Sequence, residues 1–228
     1  SLFDNKANGY VMGEGAACLV VTTYKYAKQN NMPVLGELKC LNLAASAPEH
    51  LLSPSENKYE TVISDDTGAF KTRKSDLAYL DVFGVSHPFL DLVEKQAIEK
   101  SLNHPVGYGN IKTEFGYFKA ANPAVVMTRL LMMSDKGVLL PTHGYKADST
   151  LIEKESLLHP VKEMTPLADG ALLGADVNGI GGNHAHVIIG RLPRFLRAQE
   201  AAVSVAQPAV TAGTWPEKVR IDAVTGLL

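Results

Sequence analysis

The stretch Asn110 to Ala121 reads N-I-K-T-E-F-G-Y-F-K-A-A. A short apolar start ends at Lys112 and Thr113, and Gly116 permits a tight turn. Ala120, Ala121 and the run Val125 to Met133 then predict a buried helix. A strand that hands over to a helix through a glycine is where α/β folds build sites. This one presents Lys112, Thr113, Glu114 and Tyr117 near a helix start. Two more glycine-punctuated turns occur, at Phe83 to Pro88 and at Asn178 to His184. Three such turns predict three loops that meet at one site.

The rest of the chain alternates between strand and helix patterns. Ala16 to Thr22 is a continuous apolar run of the length expected for a strand buried on both faces. Thr23 to Asn31 predicts a short polar helix, and Val34 to Ala45 a second strand. Ser46 to Ser75 is polar and predicts a surface insertion. Leu77 to Phe83 is a strand candidate, and Pro88 marks a helix start with Ser86 or His87 as its cap. Phe89, Leu92, Val93 and Ala97 continue that helix at helical spacing towards Asn103. Val106 to Ile111 returns as a strand. Pro123 fixes the first turn of the next helix or kinks it, and Lys136-Gly137 closes that helix. Val138 to Thr142 is extended, and Tyr145 to Lys162 is charged and loop-rich. Ala171 to Asn178 and His186 to Leu192 read as adjacent strands. From Pro193 the Ala, Val, Gln and Pro composition predicts a linker, which divides the chain into a domain at 1–192 and a tail at 193–228. The alternation implies an α/β layered fold.

Composition narrows the function. The 228 residues are 46% apolar and 20% charged, enough to bury a core without staples. Net charge is −2 with both signs mixed, so no basic stripe speaks for nucleic acid. Cys18 and Cys40 form no C-x-x-C pair and read as two buried apolar thiols rather than a disulfide or metal site. No signal peptide opens the chain, and no apolar run approaches the ~20 residues that span a bilayer. The expected location is cytoplasmic. Ser1-Leu2-Phe3-Asp4 opens without a methionine, which suggests a piece of a longer polypeptide.

Four blocks, in order, resemble the C-terminal half of a β-ketoacyl synthase of the thiolase-like superfamily. Phe3-Asp4 with Asn8 to Ala16 (N-G-Y-V-M-G-E-G-A) is similar to the family's FD…DGYVxGEGA block. Tyr79 to Ile98 resembles the block around its first catalytic histidine, H-G-T-G-T, and the following GDxxE helix. Asn110 to Ala121 resembles VKxNIGHxxAAAG, which carries the second catalytic histidine. Asn178 to Ile189 resembles FGxGGTNAHV. The resemblance implies a thiolase-like layered fold, its C-terminal half, with a mixed sheet flanked by helices.

The departures fall on the chemistry. The first catalytic histidine falls on Phe83 and the second on Tyr117, while the two threonines fall on Val85 and His87. Lys119, Pro123, Ile180 and Asn183-His184 also replace family residues. The scaffold survives in Glu14, Gly15, Gly84, Asp91, Glu94, Lys112, Thr113, Gly116, Ala120, Ala121, Gly181, Gly182, Ala185 and His186. In the family, two histidines hydrogen-bond the developing enolate and thioester oxygen, and an activated cysteine, expected upstream of Ser1, is the nucleophile. Phenylalanine donates no such bond, and losing one oxyanion-type donor costs about 3 to 4 kcal/mol of barrier.

The resemblance therefore implies no catalytic residue in this chain. It implies a non-catalytic chain-length factor, most similar to that of a polyunsaturated fatty acid or polyketide synthase. Such a factor pairs with an active ketosynthase as a heterodimer and shapes the channel for the growing acyl chain, delivered by acyl carrier protein. Phe83, Lys112, Tyr117, Phe118, Ile180, Gly181 and Gly182 are the expected channel residues. Apolar walls there favour a hydrocarbon by about 0.8 kcal/mol per buried methylene. No cofactor and no metal is expected: His184 and His186 share a strand face, but no third ligand is evident. Lys112 is expected to pair with Glu94 or Glu14, or to touch substrate. His87 is expected to cap a helix, face solvent or take over a catalytic role. The competing readings are a divergent active β-ketoacyl synthase and a structural scaffold module.

Overall fold

The computed structural model describes residues 2–45, 77–147, 149–179 and 181–192. The predicted insertion at 46–75, Ile180 and the tail at 193–228 lie outside the described residues. The elements in chain order are α1 (Tyr24–Gln29), β1 (Glu37–Ala45), β2 (Leu77–Asp81), α2 (Pro88–Ser101) and β3 (Val106–Gly109). A single-turn helix α3 (Lys112–Phe115) and a 3-10 turn (Lys119–Ala121) lead into α4 (Asn122–Lys136). Then come β4 (Val138–Leu139), β5 (Leu158–Pro160), β6 (Thr165–Pro166), β7 (Leu172–Gly179) and β8 (Asn183–Gly190).

Six strands form one mixed sheet in the order β1-β8-β7-β2-β3-β5. β7, β2, β3 and β5 run parallel, while β8 is antiparallel to both β7 and β1. Period-two alternation sends successive side chains of a strand to opposite faces. In β2 this places Tyr79 in one core and Leu80 in the other. Ala97 and Ile98 of α2 pack with Leu80, Val106, Tyr108 and Leu172 on one face. Val126, Leu130 and Met133 of α4 pack with Tyr79, Leu173 and Ile189 on the other. This is the layered α/β arrangement, with helices on both sheet faces.

The helix ends follow their chemistry. The Thr23 hydroxyl caps α1 by accepting the Tyr26 N–H at 3.2 Å. Pro123 sits in the first turn of α4, where its missing N–H is no loss, and Gly137 ends that helix at φ 70°. At α2, His87 holds the cap position but gives no side-chain cap bond. Asp91, one turn inside the helix, supplies the acceptor instead, taking the N–H of His87 at 3.4 Å and of Val85 at 3.0 Å.

Three expectations are corrected. Ala16 to Thr22 forms no strand, and Val20 and Val21 are 80% and 81% exposed. An apolar run becomes a strand only where neighbouring strands take its backbone, and among the described residues none pairs with it. Cys18, inside this run, is exposed, whereas Cys40 is buried. Finally, the loop-rich stretch Tyr145 to Lys162 contains β5, which extends the sheet beside β3. Its three residues are too few for their period to show in the sequence.

Candidate functional site

The three glycine-marked turns do converge. Asn110 stitches two of them together: its side-chain amide donates to the carbonyls of Val82 at 2.8 Å and Phe83 at 2.7 Å, and its Oδ1 accepts the Lys112 N–H at 2.7 Å. Glu94 of α2 holds the same loop from behind. Its two carboxylate oxygens accept the N–H groups of Phe83 and Gly84, each at 2.7 Å. Phe83 is thus fixed by its backbone on both sides.

The N-terminal loop joins through Tyr117. The Tyr117 N–H donates to the Val11 carbonyl at 2.8 Å, and the Gly13 N–H donates to the Tyr117 carbonyl at 3.0 Å. Gly116 makes this approach workable. It sits at φ +82°, and a Cβ there would lie 2.9 Å from both the Gly13 nitrogen and the Val11 oxygen.

Three aromatic rings line the centre. The Phe83 and Tyr117 rings meet edge to face with centroids 6.0 Å apart, and Tyr10 meets Tyr117 at 5.0 Å. The Lys112 ammonium lies 4.0 Å from the Phe83 ring centroid and 5.5 Å from that of Tyr117. It also donates to the Phe83 carbonyl. These residues enclose a pocket with Val85, Asn178 and Gly179. Its free space, about 10 Å³, is the room needed by one water molecule.

Burial governs the electrostatics. It lowers the Lys112 pKa to about 8, against the opposing pull of Glu94, Asp81 and Asp91. It raises the Asp81 pKa to about 6, although Arg129 and Lys112 favour the carboxylate. It also raises Asp91, in spite of the backbone N–H groups of Val85, Phe3 and His87. Tyr117 is pushed up by burial and by Tyr10, so its hydroxyl stays protonated at neutral pH. Beneath the site, Arg129 is bound to Glu114 at 2.9 Å and to Asp81 at 3.6 Å.

Of the expected channel residues, Phe83, Lys112 and Tyr117 line the pocket. Phe118 does not. It packs against the N-terminal loop, where a Cβ on Gly15 would stand 2.8 Å from its ring. Gly181 and Gly182 form the β7–β8 turn, next to the pocket-lining Gly179 rather than in the lining itself. Ile180 is outside the described residues. Lys112 associates with Glu94 and not with Glu14, which is exposed. His87 is exposed and lies outside the lining. His184 and His186 are buried and bonded across to β7, through Asn178 at 2.7 Å and Asp176 at 2.6 Å. Among the described residues, no three His, Cys, Asp or Glu side chains stand together where a metal ion could be held. Tyr10, Val85, Asn178 and Gly179 also line the pocket, beyond the residues the motifs point to. Each sits in a block that carries the family resemblance, but motif position alone does not reveal which side chains turn inward.

The fold has counterparts among solved structures. The ketosynthase from module 6 of the bacillaene synthase of Bacillus subtilis 168 superimposes with a TM-score of 0.78 at 21% identity, over 84% of this chain and 37% of that one. This chain has a ketosynthase fold. The ketosynthase domain OzmH KS8 of Streptomyces albus JA3453 matches the fold as well, at TM-score 0.74 and 17% identity, over 85% of this chain and 56% of that one. Its sequence relatives are polyketide synthases. The compactin diketide synthase mlcB of Penicillium citrinum is 26% identical over 82% of this chain, and the highly reducing polyketide synthase ACRTS2 of Alternaria alternata is 26% identical over 90%. The chain spans 8% and 9% of those two proteins. No family model matches the chain. Among the described residues, no helix is long and apolar enough to cross a membrane.

Proposed function

We propose that this ketosynthase-like domain is non-catalytic and acts as a chain-length factor. In this reading it pairs with an active ketosynthase and shapes the acyl channel during polyketide or polyunsaturated fatty acid chain elongation. The observation that carries the reading is the Phe83–Tyr117 ring pair under the Lys112 ammonium. These two residues fall where the resemblance places catalytic histidines. Neither ring replaces an imidazole: Phe83 has no polar atom, and Tyr117 offers a protonated hydroxyl that can donate a hydrogen bond but is no base at neutral pH. The free space enclosed beside them is about 10 Å³, the room of one water molecule. Phe83 and Tyr117 then serve as the wall that stops an acyl chain entering from the partner. Acyl carrier protein delivers that chain to the active partner.

The test uses the natural polypeptide with its ketosynthase partner. Decarboxylation of a malonyl thioester should depend wholly on the partner's nucleophile. Turnover that persists when that nucleophile is removed would make this domain an active synthase. Shortening Phe83 to alanine should lengthen the product by one or more extension units. Normal assembly with unchanged product length would leave only a scaffold role.

A further inference from the structure

Asn178 is the pocket residue whose hydrogen bonds do not close. It stands near the end of β7, and with Gly179 it lines the pocket. Only 6% of the residue is exposed. Its Oδ1 meets Nδ1 of His184, the residue opposite it on β8, at 2.7 Å. Burial lowers the His184 pKa against the opposing pull of Asp176, so the ring is neutral at neutral pH. The Nδ1–H of that ring donates to Oδ1. This leaves the other end of the amide: Nδ2 is buried, and among the described residues no acceptor meets it. A buried N–H without an acceptor is costly, and in folded proteins such a group pairs with water or a ligand.

The pocket supplies the place for that acceptor, and its lining states what the acceptor must be. Phe83 and Val85 give it apolar walls, and the Lys112 ammonium is a second donor. Glu94, Asp81 and Asp91 already answer the lysine charge, so the missing partner is neutral. The free space, about 10 Å³, is the scale of one water molecule or of one oxygen atom at a chain end. We propose that Asn178 is a specificity-determining residue whose Nδ2–H donates to a keto oxygen near the distal end of an acyl chain. The substrate class is a chain that keeps a carbonyl group where it reaches the Phe83–Tyr117 wall. A fully reduced chain of equal length leaves Nδ2 unpaired there. A site built to pair a polar group rejects the analogue without it far more strongly than an apolar pocket rejects a change of size. This inference rests on the channel reading proposed above.

The test uses the natural polypeptide with its ketosynthase partner and two non-hydrolysable pantetheine-amide probes of equal chain length. One is saturated, and the other carries an isotope-labelled ketone next to its terminal methyl group. The ketone probe should bind about ten-fold tighter, and its bound carbonyl stretch should lie at lower frequency than in an apolar solvent. Asn178→Leu and Asn178→Asp should both abolish the preference and the shift. Asn178→Asp retains Oδ1 for His184, so it removes the donor while the contact between strands is kept. A variant that retains the preference overturns the proposal. Where neither variant assembles, the wild-type measurements decide alone. Equal affinities, both altered by Phe83→Ala, overturn this inference and leave the channel reading standing. Binding of neither probe, or binding indifferent to Phe83→Ala, overturns both. An unshifted carbonyl band assigns Nδ2 to a water molecule and also overturns the proposal.

Discussion

The Phe83 and Tyr117 rings stand edge to face at 6.0 Å, and the Lys112 ammonium lies 4.0 Å from the centre of the Phe83 ring. Phe83 is 7% exposed, so its ring is part of the packed structure as well as the pocket wall. Phe83→Ala should therefore destabilise the fold by about 3 to 5 kcal/mol, the range for truncating a buried aromatic side chain. Urea denaturation of wild type and variant measures this. Tyr117 is only partly buried, and Tyr117→Phe, which keeps the ring pair, should cost under about 1 kcal/mol. If Tyr117→Phe cost as much as Phe83→Ala, the hydroxyl rather than the ring would be the structural element.

Lys112 and Asp81 predict opposite pH effects. The folded pKa of Lys112 lies at about 8, below its unfolded value, so the unfolded chain binds more protons between pH 8 and the ordinary lysine range. Its contribution is a penalty present below pH 8 that is relieved as pH rises through that window. Asp81 has a folded pKa of about 6, above its unfolded value. There the folded chain binds more protons, so stability from this group is present at acid pH and is lost as pH rises from about 4 through 6. Lys112→Met should flatten the alkaline rise, and Asp81→Asn the acid-side fall. Urea midpoints of each variant, subtracted from wild type across pH 4 to 10, provide the check.

Gly116 couples two constraints at one position. Its φ of +82° is strained for any side chain, and a Cβ would press on the backbone of Val11 and Gly13. Gly116→Ala should cost about 3 kcal/mol or more, with the N-terminal loop released from Tyr117. Gly144 offers a comparison: it has φ +72° but open space around the added methyl, so Gly144→Ala should cost only about 1 kcal/mol. Thermal melts rank the two, and proteolysis between Gly9 and Gly15 should accelerate only in the Gly116 variant.

Arg129 is 5% exposed and bound to Asp81 and Glu114 by ion pairs. Arg129→Met strands the Asp81 carboxylate in a buried position and should cost about 3 to 5 kcal/mol at neutral pH. Adding Asp81→Asn removes the stranded charge and should recover a substantial part of that loss. A double-mutant cycle in urea gives the coupling. Strict additivity would mean that the pair does not interact in the folded state.

Local chemistry made the helices and most strands of the sheet legible, though not β5. The Pro123 start and Gly137 end of α4, the Thr23-bounded α1 and the β7–β8 pair are all set by residues within a few positions of the element they delimit. The glycine turns also announced that three loops would meet. Phe83, Lys112 and Tyr117 could be placed in the site because each sits in a motif block. Tyr10, Val85 and Asn178 could not, since whether a loop side chain faces the pocket depends on contacts with loops distant in sequence. Glu94 as the clamp for the Phe83 loop, and Asp91 as the acceptor at the start of α2, are likewise decisions of the tertiary structure.

The sequence by itself determined the alternation of elements, the α/β class and the absence of histidine at the two positions where the ketosynthase resemblance expects it. These follow from residue identity and short-range periodicity. Only the tertiary structure decided that Phe83, Tyr10 and Tyr117 come together at the pocket, and that Lys112 is buried over the Phe83 and Tyr117 rings. It also decided that an apolar run ideal for an interior strand stays exposed. Apolar patterning states what a segment can bury. Whether it is buried depends on a partner surface, which a local reading of the sequence does not contain.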